Sequence, residues 1–139
     1  MDQSCRYLFV YGTLMSGATG KLGAEQRLRL ARESDSLGPA SLPQARLYSL
    51  GRYPGAAASD SVDDIVHGEV VLLADPHGAF RWLDDYEGYV HGAGDANEYD
   101  RLVRQVRLAG GETFDAWVYQ LRSAPAGQRL IEEGRWLSR

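Results

Sequence analysis

Three observations predict an α+β fold for this chain. Segments with strand patterning outnumber the three helical patterns, and no strand–helix alternation of about thirty residues repeats as a doubly wound sheet requires. Near the end, residues 99–108 and 113–121 alternate in polarity on either side of Gly110-Gly111, the signature of a hairpin. At 139 residues the chain fits a single domain, 1–139, and can bury roughly two thirds of the surface its unfolded form exposes.

Each element follows from local pattern. Tyr7 to Tyr11 is a short, nearly continuous apolar run, as a strand buried on both faces requires. Residues 15–20 are turn material. From Lys21 to Arg32, Leu22, Gln26, Leu28 and Leu30 among good helix formers predict a helix with an irregular apolar stripe. Residues 36–50 read as extended chain with Pro43 at an edge or bulge, and 51–55 (Gly-Arg-Tyr-Pro-Gly) as a turn. Ile65 to Leu73 is a strand, and Gly68 inside it marks a bulge or a close approach of backbone or ligand. Asp75-Pro76 starts a helix in which Phe80, Leu83 and Tyr86 recur at helical spacing up to Glu87, with Gly88 as its stop. Residues 90–98, with small residues among polar ones, read as a mobile loop and a lid over whatever binds. In the hairpin, Phe114, Ala116 and Val118 share one face and Trp117, Tyr119 and Leu121 the other. The tail from 126 to 139 reads as a short final helix docked through Leu130, Ile131 and Trp136.

Composition narrows the function classes. A net charge of −4 arises from mixed charges, and the fourteen arginines against one lysine reflect genome base composition. Arg101, Arg104 and Arg107 form a short basic run, but acidic residues flank it and no aromatic ladder accompanies it, so nucleic acid is not the expected partner. The single Cys5 cannot form an intramolecular disulfide and reads as an ordinary thiol. No signal peptide and no apolar run of roughly 18 residues is present, so the expected compartment is the cytoplasm, with no membrane partner. His67, His77 and His91 lack ligand-like spacing, and no metal or other cofactor is expected. Oligomeric state is not set by the sequence.

Two segments carry chemistry. Leu8-Phe9-Val10-Tyr11-Gly12-Thr13-Leu14 is an apolar strand that breaks into a Gly turn, exposing backbone N–H groups beside a hydroxyl. Such a turn builds an anion or oxyanion cradle. Leu83-Asp84-Asp85-Tyr86-Glu87-Gly88-Tyr89 sets one carboxylate between two aromatic rings, where scarce water lets a carboxyl keep a proton near neutral pH. A cradle with a tuned acid points to an enzyme. Glu69, alternating along a strand, and Glu98, at the edge of the lid, rank below Glu87 as the acid. Adjacent Asp84 and Asp85 do not point together on a helix as a catalytic pair would.

Taken in order, Tyr11-Gly12-Thr13-Leu14, Gly51-Arg52-Tyr53-Pro54, Gly68-Glu69-Val70, Leu83 to Gly88, the pair Tyr99 and Arg101, and Ala116-Trp117-Val118-Tyr119 resemble the γ-glutamylcyclotransferase-like family, which includes γ-glutamylamine cyclotransferases and plant avirulence-induced proteins. The resemblance runs almost end to end. It implies a small mixed β-barrel flanked by a few helices, and a reaction converting a γ-glutamyl amine or peptide into 5-oxoproline and a free amine. It makes Glu87 the catalytic acid/base and Tyr11, Gly12, Thr13 and Leu14 the loop that holds the glutamyl head group. Tyr99 and Arg101 are candidates to hold the substrate α-carboxylate or to position the lid. The nucleophile in such a reaction is the substrate's own α-amine, so neither Ser, Cys nor metal is required. Two alternatives stay open: a non-catalytic small-molecule binding or regulatory module on the same fold, and a hydrolase in which water attacks and glutamate is released.

Overall fold

The computed structural model describes residues 5–18 and 20–136. Along the chain lie β1 (Tyr7–Val10), α1 (Ala24–Glu33), β2 (Ser34–Pro43), β3 (Ala45–Ser49), β4 (Pro54–Ala58), β5 (Ile65–Leu73), α2 (Pro76–Glu87), β6 (Tyr99–Leu108), β7 (Thr113–Leu121) and β8 (Arg129–Ile131). Neighbouring strands run β1-β5-β2-β6-β7, and a parallel contact of β1 with β7, Leu8 facing Trp117, closes that set into a mixed barrel. From β7 the sheet continues outward through β4, β3 and β8.

Side-chain alternation along the strands separates two cores. Phe9 of β1 and Tyr11 just beyond its end, with Ala116 and Val118 of β7, join Leu42, Val66, Val70 and Val106 in one. Leu8 and Val10, with Tyr119 and Leu121, face the other way and meet Leu30 of α1 and Ala79, Phe80 and Leu83 of α2. Both faces of β1 are therefore buried, as its unbroken apolar run predicts, and both faces of β7 pack as expected from its alternation.

Helix α2 matches its predicted limits because its ends are chemically marked. The Asp75 side chain accepts from the Gly78 N–H at 3.2 Å, and Pro76 occupies the first turn. Gly88 takes a left-handed conformation, φ 72°, and returns its N–H to Asp85 O at 3.2 Å. Glu87 is thus the last helical residue.

Three expectations are corrected. The 51–55 turn is only 51–53, because Pro54–Ala58 forms strand β4, pairing antiparallel with β3 and, through Ala57 and Leu121, parallel with β7. Its Pro-Gly-Ala-Ala-Ala composition carries no β-branched or aromatic signal. The small residues are needed because a Cβ at Gly55 would come within 2.5 Å of Leu121. The tail is not a helix between 126 and 136: Arg129–Ile131 pairs with the edge of β3, Ile131 is buried, and Leu130 faces outward. Trp136 does dock on the barrel core as expected. Position 19 of the 15–20 turn and positions 137–139 of the tail lie outside the described residues. The third correction concerns the lid. Residues 90–98 contain one 3₁₀ turn, Gly94–Ala96, and are cross-tied by buried Asn97, which accepts from Val90 N–H at 3.0 Å and donates to Val90 O at 2.8 Å.

Candidate active site

A cavity of about 280 Å³ opens where β1 runs out, walled by Phe9 to Leu14, Leu22, Tyr53, Pro54, Tyr86 to Gly88, Glu98, Tyr99 and Tyr119. Of the 90–98 loop only Glu98 reaches it, so that loop borders the site and does not roof it. The cradle turn and the acid predicted from two distant segments share its walls. They meet because the parallel β1–β7 closure and the packing of α2 on Leu8 and Val10 bring the end of β1 beside the end of α2.

Among the described residues the Glu87 carboxyl makes no hydrogen bond or ion pair, although every other polar side chain of the cavity does. Burial against the cavity walls raises its pKa to about 7, with Asp84 and then Glu98 adding like-charge repulsion. Tyr11, Tyr53, Tyr86, Tyr99 and Tyr119 share the cavity wall with it. Tyr89, the other ring flanking Glu87 in sequence, packs instead against the Arg101 guanidinium.

The tyrosine hydroxyls are committed. Tyr11 donates to Tyr119 O at 2.6 Å and accepts from Ala56 N–H at 3.1 Å, Tyr99 donates to Pro54 O at 2.9 Å, and Tyr119 donates to Asp84 Oδ1 at 2.6 Å. Tyr86 and Thr13 share a hydroxyl–hydroxyl bond of 2.9 Å. Desolvation pushes the pKa of Tyr11, Tyr99 and Tyr119 far up, so each stays a neutral phenol. At neutral pH they shape the cavity as uncharged groups.

The cradle is a turn closed by Met15 N–H donating to Gly12 O at 3.1 Å. The N–H groups of Thr13 and Leu14, inside that turn, donate to no acceptor among the described residues. Gly12 is required there, since a Cβ would meet the Pro54 ring at 2.8 Å.

Arg101 does not join the site. Its guanidinium bonds Asp84 through Nε at 2.9 Å and Nη2 at 3.3 Å, and lies over the rings of Phe80, Trp117 and Tyr89. It fastens β6 to α2 and is absent from the cavity wall. Of the competing acids, Glu69 is buried and accepts from Ser16 N–H at 2.8 Å, Ser16 Oγ at 2.9 Å and Ser36 Oγ at 2.5 Å, away from the cavity. Glu98 does line the cavity, exposed, with Tyr53 donating to it at 3.4 Å. Tyr53, Pro54 and Tyr119 had no assigned role in the sequence, although they lie in the Gly51 to Pro54 and Ala116 to Tyr119 motifs. Among the described residues no three His, Cys, Asp or Glu side chains gather as metal ligands would, and no helix is long and apolar enough to cross a membrane. A wider groove between α1 and α2 carries Arg29, Glu33 and Trp82, but these bond one another.

Comparison with known proteins agrees with this architecture. The family model described as gamma-glutamyl cyclotransferase, AIG2-like, matches residues 8–138. The gamma-glutamylcyclotransferase family protein YtfP of Escherichia coli (strain K12) is 32% identical over 132 residues, covering 95% of this chain and 96% of its own length. The solution structure of E. coli ytfP aligns with a TM-score of 0.58 at 30% identity, over 94% of this chain and 96% of that one. The crystal structure of an AIG2-like protein from Mus musculus shares the fold, with a TM-score of 0.71 at 20% identity over 95% of this chain and 88% of that one. A match of such extent in sequence and in barrel topology means that the chain belongs to the gamma-glutamyl cyclotransferase, AIG2-like family.

Proposed function

We propose that this protein releases 5-oxoproline and a free amine from a γ-glutamyl amine or γ-glutamyl peptide, with Glu87 as acid/base. The observation that carries this reading is the Glu87 carboxyl: unpartnered, desolvated, with a pKa near 7, in the same small cavity as two unoccupied backbone N–H groups.

The chemistry needs little more. Ionised Glu87 takes a proton from the substrate α-ammonium, and the freed amine attacks the γ-carbonyl to close a five-membered ring. The electron pair displaced onto the γ-oxygen is met by the Thr13 and Leu14 N–H groups, for which one donor contributes about 3 kcal/mol of barrier lowering. Neutral Glu87 gives its proton to the leaving nitrogen and, again a carboxylate, takes the second proton from the now cationic ring nitrogen; collapse then breaks the bond from the γ-carbon to the leaving nitrogen, and the departing amine takes up that proton, which returns Glu87 to its ionised form. Phe9, Leu14, Tyr11 and Tyr99 keep water from competing for the carbonyl, and Tyr53 and Glu98, the exposed side chains of the wall, stand on the side where an amine departs.

A mass-spectrometric screen of γ-glutamyl amines, amino acids and peptides, with Glu87→Gln in parallel, tests the reading. Formation of 5-oxoproline by the wild type and its loss in the variant is the expected result. Glutamate as the product would replace cyclisation with hydrolysis. Binding without turnover would leave a ligand-binding module.

A further inference from the structure

Arg27 of α1 forms no ion pair among the described residues; its guanidinium is given to three backbone carbonyls, Nε–H to Thr13 O at 2.9 Å and Nη2–H to Gly20 O at 3.1 Å and Leu22 O at 3.3 Å. All three carbonyls belong to the segment between β1 and α1, and Thr13 O belongs to the cradle turn itself. Arg27 is not part of the cavity wall, whereas Gly12, Thr13 and Leu14 are.

A trans peptide is planar, so its C=O and N–H point in opposite directions. Holding Thr13 O toward Arg27 therefore turns the N–H of the same peptide, that of Leu14, away from Arg27. The Gly12 peptide is held the same way, its oxygen taken by Met15 N–H, which turns the Thr13 N–H outward. Ser16 N–H and Oγ, bound to buried Glu69, anchor the far end of the turn. Among the described residues no hydrogen bond other than the guanidinium's holds the Thr13–Leu14 peptide, and a rotated peptide would present a carbonyl oxygen where a donor is needed.

We infer that Arg27 is a positioning residue that latches the Thr13–Leu14 peptide so that the Leu14 N–H serves the cavity as a donor to the substrate's γ-oxygen. The inference rests on the cyclotransferase reading and adds to it the group that presets its oxyanion donor. A guanidinium is well suited to such a latch, because its fan of rigid donors reaches three carbonyls at once, which a lysine ammonium on a flexible stem does not reproduce with the same geometry.

The test is kinetic and spectroscopic. For Arg27→Ala, folded by circular dichroism, kcat for 5-oxoproline release should drop at least about tenfold while KM changes little, because the donor acts mainly on charge that develops in the transition state. Millimolar ethylguanidinium should restore part of that kcat, and Arg27→Lys should recover less than the rescued variant. Independently of whether Arg27→Ala folds, the Leu14 amide resonance of ¹⁵N-labelled Glu87→Gln should move on adding the best γ-glutamyl amine of the screen. An unchanged kcat in folded Arg27→Ala, or a Leu14 amide that stays still while the compound binds, overturns the inference and leaves the cyclotransferase reading intact. Wild type that turns over none of the panel overturns both.

Discussion

At the scale of single residues, the proposed chemistry turns on Glu87, and its environment sets its pH range. With a pKa near 7 it is a carboxylate only above that pH, so kcat/KM should rise with pH and level off above about 7, measured as a pH–rate profile. Glu87→Gln cannot accept a proton; its kcat should fall by about 10²–10⁴ with binding retained. The same burial has a stability consequence of defined sign. The folded-state pKa lies above the unfolded one near 4.5, so the contribution of Glu87 to stability is fully present below that value and is lost as pH rises through 7. The loss amounts to about 3 kcal/mol by the pKa difference. Urea unfolding of wild type and Glu87→Gln at pH 5 and pH 8 checks it, the variant gaining relative stability at the higher pH. That this carboxyl is desolvated was legible in Tyr86 beside it, though not in Tyr89; that it has no partner was not, because hydrogen-bond partners come from segments distant in the chain.

At the scale of elements, strand β5 places the cradle through a pair of neighbouring residues. Val10 and Glu69 are register partners across β1 and β5, and β1 approaches so closely that a Cβ at Gly68 would meet Val10 O at 2.2 Å and the Phe9 ring at 2.7 Å. A backbone oxygen cannot step aside as a flexible side chain does. Gly68→Ala should therefore cost about 2 kcal/mol, read from the urea midpoint, and loosen the turn that follows β1. A close approach was one of the two readings that a glycine inside a strand allowed, a bulge being the other. Strands β4 and β8 were not: one is built from small residues and the other from three residues, Arg129–Ile131, so neither bears a local signature, and each exists because an existing strand edge accepts it.

At the scale of the whole molecule, Arg101 shows how tertiary context reassigns a residue. In the sequence it follows Tyr99 and looks available for a carboxylate ligand; in the fold its carboxylate partner is Asp84 of α2, and aromatic rings cover its guanidinium. Arg101→Ala should lower stability by about 2 kcal/mol, between the values for exposed and fully buried pairs, and leave KM nearly unchanged. Because it also strips Asp84 of its counter-charge beside Glu87, the rising limb of the pH–rate profile should move to higher pH. A KM effect without either change would return Arg101 to substrate binding.

By itself the sequence determined the α+β class, the two faces of β7, the limits of α2, and the two short segments to which the proposed chemistry is assigned. These are local matters: side-chain periodicity, a capping aspartate, a left-handed glycine, a turn with open N–H groups. Only the tertiary structure decided that β1 closes against β7, that the two segments share one cavity, and which charges are already paired. Closure and pairing join residues far apart in the chain, through contacts that no local pattern of residue types encodes.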